Sequence, residues 1–294
     1  MDERIRVGIV GYGNLGKGVR KALSRNKDFK LEAIFTRRDP ARMAIDEGEI
    51  AAGVKFVSLH GVYDYVETID VAILCGGSAA DLPEQGPALA ILFNTVDSFD
   101  NHARIPAYFD RIDKVAREAN TLSLVSAGWD PGLFSLNRLL SACVLPGGMS
   151  HTFWGRGVSQ GHSDAIRKVE GVKDGIQYTI PLQEALERIR RGDNPHFTAA
   201  QKHRRLCFVV PEEGADLEAI ANSIKSMPAY FADYETEVHF IPAEELEREH
   251  GGMPHGGTVI GTGMTGAGHR QRIEFGLNLE SNPEFTGSVL VAYA

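Results

Sequence analysis

The sequence predicts an α/β protein, a doubly wound parallel sheet followed by a second α+β domain. Three observations predict it. Between Ile5 and Gly128, short apolar runs rich in β-branched residues alternate with helical stretches, the pattern of crossover units that build a parallel sheet. A glycine-rich turn closes the first of these runs. Beyond Gly128 the texture changes: glycines crowd residues 147–161 and 251–268, and the helical pieces shorten.

Taken in order, the apolar runs of the first part lie at 5–10, 31–35, 54–59, 71–75, 92–96 and 121–125. Six strands suit a doubly wound sheet, so residues 1–128 form the predicted dinucleotide-binding domain. The second domain is expected over 129–281. Its strand-like pieces are 177–180, 206–210 and 237–241, and its helical pieces are 164–169, 182–191 and 217–225. Residues 282–294 open a C-terminal segment. The apolar run 288–294 ends with no capping or breaking residue after it, so the chain is expected to continue. No internal repeat or low-complexity tract interrupts this plan.

Composition narrows the function classes. With 294 residues, 43% of them hydrophobic, the chain can bury two ordinary cores. The net charge of -8 is spread in mixed clusters, which argues against a broad nucleic-acid or membrane surface and leaves a small molecule as the expected partner. Cys75, Cys143 and Cys207 form neither an even set nor a C-x-x-C pair, so they read as reduced thiols, mostly packed. No apolar run reaches the ~18 residues of a membrane span and the charged start is no signal peptide, so a cytoplasmic location is expected.

Gly11-Tyr12-Gly13-Asn14-Leu15-Gly16 fits G-x-G-x-x-G, directly after the run 5–10 and directly before helix-like 17–25. That placement gives the pattern its meaning in a Rossmann-type fold. Pyrophosphate can sit on free N–H groups at a helix start, with Gly11 turning the chain, Gly13 admitting the phosphates and Gly16 letting helix and strand pack closely. Where an NAD site carries an acid at the end of the second strand, this chain has Thr36-Arg37-Arg38. Two guanidiniums and a hydroxyl suit a 2′-phosphate and offer no acceptor to a free hydroxyl, so NADP is the expected cofactor. Cys75-Gly76-Gly77-Ser78, at the end of the fourth run, should pass under the dinucleotide at the sheet's switch point.

Further motifs carry a resemblance. They are Leu74–Ser78 with Asp81–Pro87, Gly128-Trp129-Asp130-Pro131-Gly132, Phe153-Trp154-Gly155, Ser159-Gln160-Gly161-His162-Ser163-Asp164 and Met253-Pro254-His255-Gly256-Gly257. With the fingerprint at Gly11–Gly16, the sequence resembles the meso-diaminopimelate D-dehydrogenases along nearly its whole length. The resemblance implies an NADP-dependent, cytoplasmic homodimer of lysine biosynthesis that reversibly deaminates the D-centre of meso-diaminopimelate to L-2-amino-6-oxopimelate and ammonia. It makes 129–281 a substrate-binding and dimerisation domain and returns the C-terminal segment to the dinucleotide domain. It also implies that Asp100 and Asp130, with Trp129, Trp154, Gln160 and Gly161 beside them, surround the reacting end. Asp164, Thr179, Arg205, His255 and Asn282 would hold the substrate's distant L-end. No metal is implied.

The residue types fit that chemistry. Asp100 and Asp130 each follow a predicted strand, at the edge where doubly wound folds bind ligands, and a carboxylate there accepts from an ammonium and favours the cationic iminium left by hydride loss. As alternatives, both aspartates could be turn formers, Arg204 and Arg205 a solvated pair, and the two tryptophans core anchors. Two rival classes remain open on the residues alone. Gly157-Val158-Ser159-Gln160-Gly161 matches the nucleophile elbow of serine hydrolases, yet His162 and Asp164 crowd the serine in the wrong order for that fold. A non-catalytic NADP sensor would share the fingerprint without needing a polar pocket. Nearer alternatives are a broad D-amino acid dehydrogenase and a dihydrodipicolinate reductase.

Overall fold

The computed structural model describes residues 3–47, 53–193 and 195–294. These divide into two compact units, Met1–Ser135 with Pro283–Ala294, and Leu136–Asn282.

The first unit is built on six strands: β1 (Ile5–Val10), β2 (Phe29–Thr36), β3 (Lys55–Ser58), β4 (Val71–Leu74), β5 (Asn94–Asp97) and β6 (Ser123–Leu124). They lie side by side in the order β3-β2-β1-β4-β5-β6, every neighbouring pair parallel. Strand order reverses between β1 and β4, which opens a crevice beyond their carboxyl ends. Both faces are covered, as parallel sheets require: Phe35, Leu74, Leu82 and Phe99 fill one side, and Val7, Ile9, Val19 and Ile73 the other.

The helix Asn282–Tyr293 belongs mostly to this unit, with Leu290 and Val291 buried in the second of those cores. It crosses the helix Asn14–Ser24 at glycine. A Cβ on Gly287 would stand 2.5 Å from the Gly18 carbonyl carbon, so the two backbones touch, and Lys21 pairs with Glu284 beside the crossing. The unbroken apolar run 288–294 is therefore a core-facing helix end.

The second unit holds two sheets. One has the order β11-β10-β9-β8, from β8 (Gly157–Val158), β9 (Val172–Pro181), β10 (His203–Pro211) and β11 (Thr236–Phe240). The other has the order β13-β12-β7, wholly antiparallel, from β7 (Met149–Trp154), β12 (His255–Thr265) and β13 (His269–Leu279). Strands expected at 177–180 and 206–210 are present with longer bounds, the one expected at 237–241 is shifted by one residue to Thr236–Phe240, and the helix Leu217–Lys225 falls where it was expected.

The β12–β13 hairpin runs through 251–268, where the sequence reading noted crowded glycines and named no strand. Those glycines serve close packing within a strand. A Cβ on Gly261 would lie 2.7 Å from the Ser141 side chain, and one on Gly263 2.9 Å from the Leu145 Cβ. The helix and loop at 141–145 thus press directly on the strand backbone where Gly261 and Gly263 leave no side chain. The strand signal was present in β13, where Ile273, Phe275, Leu277 and Leu279 alternate with polar residues.

Candidate active site

The first unit presents a cleft of about 310 Å³ at its switch point, lined by Gly11, Tyr12 and Gly13 of the fingerprint, by Thr36, Arg37 and Arg38, and by Cys75 and Gly76. Local geometry explains the fingerprint. Gly11 has φ of +91°, which a side chain would strain, and a Cβ on Gly16 would collide with the Gly11 carbonyl oxygen. A Cβ on Gly13 would meet nothing within 4 Å. The helix Asn14–Ser24 starts there with no side-chain cap on its N-terminus and no acid in its first turn, so its N–H groups suit phosphate. Tyr12 and Leu15 serve the core: the buried Tyr12 ring packs edge-on against Phe56 at 5.3 Å, and Leu15 joins the same cluster. Their backbones alone are left to face a cofactor.

At the end of β2, buried Thr36 accepts a hydrogen bond from the Arg38 N–H at 3.1 Å, and the Arg38 guanidinium donates to the Tyr12 carbonyl. Arg37 stands out from the surface and pairs with Asp81 at 2.9 Å, while the Asp81 carboxylate also accepts from the Gly77 N–H at 3.0 Å. Asp81 and Gln85 line the cleft as well. The sequence reading did not place them in the site, because a helix-start acid looks like any other N-terminal charge. The donor set fits NADP: Thr36, Arg37 and Arg38 for the 2′-phosphate, Gly11–Gly16 for the pyrophosphate, and Cys75–Ser78 below.

Asp100 and Asp130 lie at the same edge of the first unit. Asp100 is exposed just past β5, and its N–H donates to the Ser78 Oγ at 3.1 Å, so the fourth-strand turn and the fifth-strand loop are tied together. Asp130 follows β6 in a tight turn closed by the Trp129–Gly132 bridge, with the Trp129 ring buried edge-on against Phe134 at 5.3 Å.

The second unit gathers most of the remaining candidates. Thr179 on β9 and Arg205 on β10 are cross-strand partners, and the Arg205 guanidinium donates to the Thr179 hydroxyl at 2.6 Å. Arg205 is 7% exposed, its guanidinium lies 3.9 Å from the centre of the Tyr234 ring, and its Nε is buried without a partner. No carboxylate pairs with it among the described residues. Two glycines let the chain converge here. A Cβ on Gly155 would collide with the Thr179 carbonyl oxygen, and one on Gly157 with the His255 ring. Gln160 donates to the Met253 sulfur at 3.0 Å, and the Met253 carbonyl accepts from the Asn282 N–H at 2.9 Å. A Cβ on Gly161 would face open space. Asp164 behaves differently, for its carboxylate is held by Arg167 one helical turn along.

Trp154 is fixed by residues the sequence reading missed. Its backbone N–H donates to His203 Nε2 at 2.8 Å, its indole stacks on the same imidazole at 5.3 Å, and Lys202 lies over its face at 5.6 Å. Nothing in the run 202–203 betrays this, since the contact spans forty-nine residues. The nucleophile-elbow motif is half assembled. Ser159 Oγ lies 2.7 Å from His162 Nδ1, but Asp164 turns to Arg167, and the imidazole's other bond goes to the Tyr230 backbone.

Burial, aided by the nearby Arg205 charge, pushes both His162 and His203 down to about 4. Unfolded histidines titrate near 6.5, so between these values the unfolded chain binds more protons than the native one. This contribution is fully present above pH 6.5 and is lost as pH falls toward 4, at about 1.4 kcal/mol per pH unit per proton. Calorimetry should show a Tm that is level from pH 7 to 8 and falls steadily from 6.5 to 4. A level Tm down to pH 4.5 contradicts the buried-neutral assignment.

Comparison with known proteins agrees with this geometry. Residues 128–281 match the model of the diaminopimelic acid dehydrogenase C-terminal domain. The meso-diaminopimelate D-dehydrogenase of Ureibacillus thermosphaericus is 58% identical over 99% of this chain and 88% of its own. The chain belongs to the meso-diaminopimelate D-dehydrogenase family. It is an NADP-dependent oxidoreductase with that family's two-part α/β fold. Among solved structures, a six-fold mutant of the Clostridium tetani E88 enzyme with DAP matches at TM-score 0.90 and 58% identity, covering 99% of this chain and 88% of that one. An engineered D-amino acid dehydrogenase bound to NADP+ matches at TM-score 0.84 and 44% identity, with the same coverage. No helix among the described residues is long and apolar enough to cross a membrane, and none of their His, Cys, Asp and Glu groupings is suited to a metal.

Proposed function

We propose that this chain binds meso-2,6-diaminopimelate and oxidises its D-centre reversibly, water entering and ammonia leaving, to give L-2-amino-6-oxopimelate. The observation that carries the reading is Arg205. A guanidinium buried against Tyr234, bonded to a hydroxyl and with no carboxylate partner among the described residues, is costly unless an anion completes it. A carboxylate at the far end of a two-ended amino acid supplies that anion. The Clostridium tetani variant gives independent support. Its six substitutions fall on the same residue types, in the same order and at the same intervals, as Gln160, Thr179, Arg205, Pro254, His255 and Asn282 here. Those residues, with Trp154 as a wall and Gly161 leaving space, are read as the substrate receptor of the second unit. Asp164 takes a secondary part through Arg167.

In the first unit Asp100 and Asp130 accept from the substrate ammonium, one of them taking its proton to leave a neutral amine. The charge that remains on the other then favours the developing iminium over the neutral amine. NADP, when bound, supplies the hydride acceptor. Trp129 shields this edge from water.

The reading includes a second copy of the chain. On the helix Leu133–Val144, Leu136, Leu139, Leu140 and Val144 are each at least half exposed and recur at helical spacing, an apolar stripe that suits a symmetric partner. The activity is tested by following NADPH formation with meso-, LL- and DD-diaminopimelate and D-alanine side by side. Rapid turnover of the meso isomer alone is expected. Equal rates with D-alanine would point instead to a broad D-amino acid dehydrogenase.

A further inference from the structure

Asp97 is the last residue of β5 and is 1% exposed, three positions before Asp100. A carboxylate so buried is unusual, and its partners explain it. Oδ1 accepts from two backbone N–H groups at 2.9 Å each, those of Phe99 and Ser126, and Oδ2 accepts from the Tyr108 hydroxyl at 2.7 Å. Phe99 immediately precedes Asp100. Ser126, held at φ of +58°, opens the turn that leads through Gly128 and Trp129 to Asp130. One carboxylate oxygen therefore holds the roots of both loops that end in the proposed catalytic acids.

The surrounding packing keeps this clamp in place. The Ala127 N–H donates to the Asp97 carbonyl at 2.8 Å, so the second loop is tied to β5 twice. The Tyr108 ring stacks on Phe99 with centres 4.2 Å apart, which locks the hydroxyl's approach. Burial pushes the Asp97 carboxyl above the usual range, while its three donors oppose that rise and favour the charged form. The site endures a desolvation cost that an apolar residue would avoid. A role in aligning the loops gives that cost a reason.

We infer that Asp97 is a positioning residue for the reaction: by bonding the Phe99 and Ser126 N–H groups together, it fixes Asp100 and Asp130 relative to one another. The inference rests on the catalytic reading of Asp100 and Asp130. Catalytic groups must be held to well under 1 Å, and a misplacement of that size costs about 10²-fold. Loss of the clamp loosens two loops without removing either acid. Its signature is a lower kcat at unchanged cofactor affinity.

The test compares Asp97→Asn, Asp97→Ala, Asp100→Asn and Asp130→Asn in the full chain, with kcat for meso-diaminopimelate normalised to NADPH-binding sites titrated by fluorescence. Asp97→Asn keeps a neutral acceptor for both N–H groups and should lose on the order of threefold to tenfold, since charge-assisted bonds are about twice as strong. Asp97→Ala should lose on the order of 30-fold. NADPH affinity should stay within about twofold in both, as Asp97 is not among the residues lining the dinucleotide cleft. A purely structural Asp97 would instead lower the number of binding sites and leave kcat per site at the wild-type value. Wild-type kcat per site in Asp97→Ala, or in Asp97→Asn should the alanine variant not fold, overturns the inference. If Asp100→Asn and Asp130→Asn retain full activity, the catalytic reading itself falls, whatever Asp97 does. If only those two lose activity, the catalytic reading stands and the clamp does not.

Discussion

Replacing Arg205 with methionine is expected to weaken diaminopimelate binding on the order of 10²–10³-fold while NADP affinity stays within about twofold. Among the described residues the guanidinium has no anionic partner and its Nε is buried without one, and truncating one side of a desolvated charge pair usually costs that much. The same substitution should not destabilise the fold. Methionine fills much of the arginine's volume beside Tyr234 and Thr179 and removes the burden of a buried, uncompensated charge, so Tm should hold or rise. Substrate titration, cofactor titration and thermal unfolding of one preparation separate these effects. D-Alanine has no second carboxylate, so its turnover should change little. Equal losses for diaminopimelate and D-alanine, or a parallel loss for NADP, would remove Arg205 from the substrate site.

Neutralising the acids should strike the chemical step instead. Asp130→Asn is expected to lower kcat on the order of 10²–10³-fold, and Asp100→Asn by a comparable factor, because each removes charge that favours the cationic product of hydride loss. KM should move far less than kcat, since an interaction made chiefly in the transition state shows itself there. The fold should tolerate both changes. Asp100 is exposed and ties to Ser78 through its backbone N–H, which the variant keeps. Steady-state kinetics at saturating NADP measures the split. A variant that raises KM with kcat intact assigns that carboxylate to binding alone.

The nucleotide half of the protein was legible along the chain because its physics is local. A β-branched run, a glycine turn with a required positive φ at Gly11, and a helix start follow one another within twenty residues. The substitution of Thr36-Arg37-Arg38 for an acid is likewise read from neighbours in sequence. In the second half, crowded glycines hid two strands from the sequence reading. The same residue type that marks a turn at Gly11 marks, at Gly261 and Gly263, a strand face pressed by residues 141–145, and only the packing tells them apart. Ser159, His162 and Asp164 looked like a crowded triad, and side-chain direction decided otherwise: serine meets histidine, while the acid meets Arg167.

By itself the sequence determined the succession of strands and helices in the first domain, the dinucleotide fingerprint, the preference for a phosphorylated ribose and the family to which the chain is similar. Each of these depends on residues within a few positions of one another, where backbone sterics and helix ends act. Only the tertiary structure decided that Arg205 lies between Thr179 and Tyr234, that His203 carries Trp154, and that Asp97 joins the Phe99 and Ser126 loops. Those contacts depend on strand register and on which backbone N–H groups burial leaves in search of an acceptor, and neither is set until the sheets have assembled.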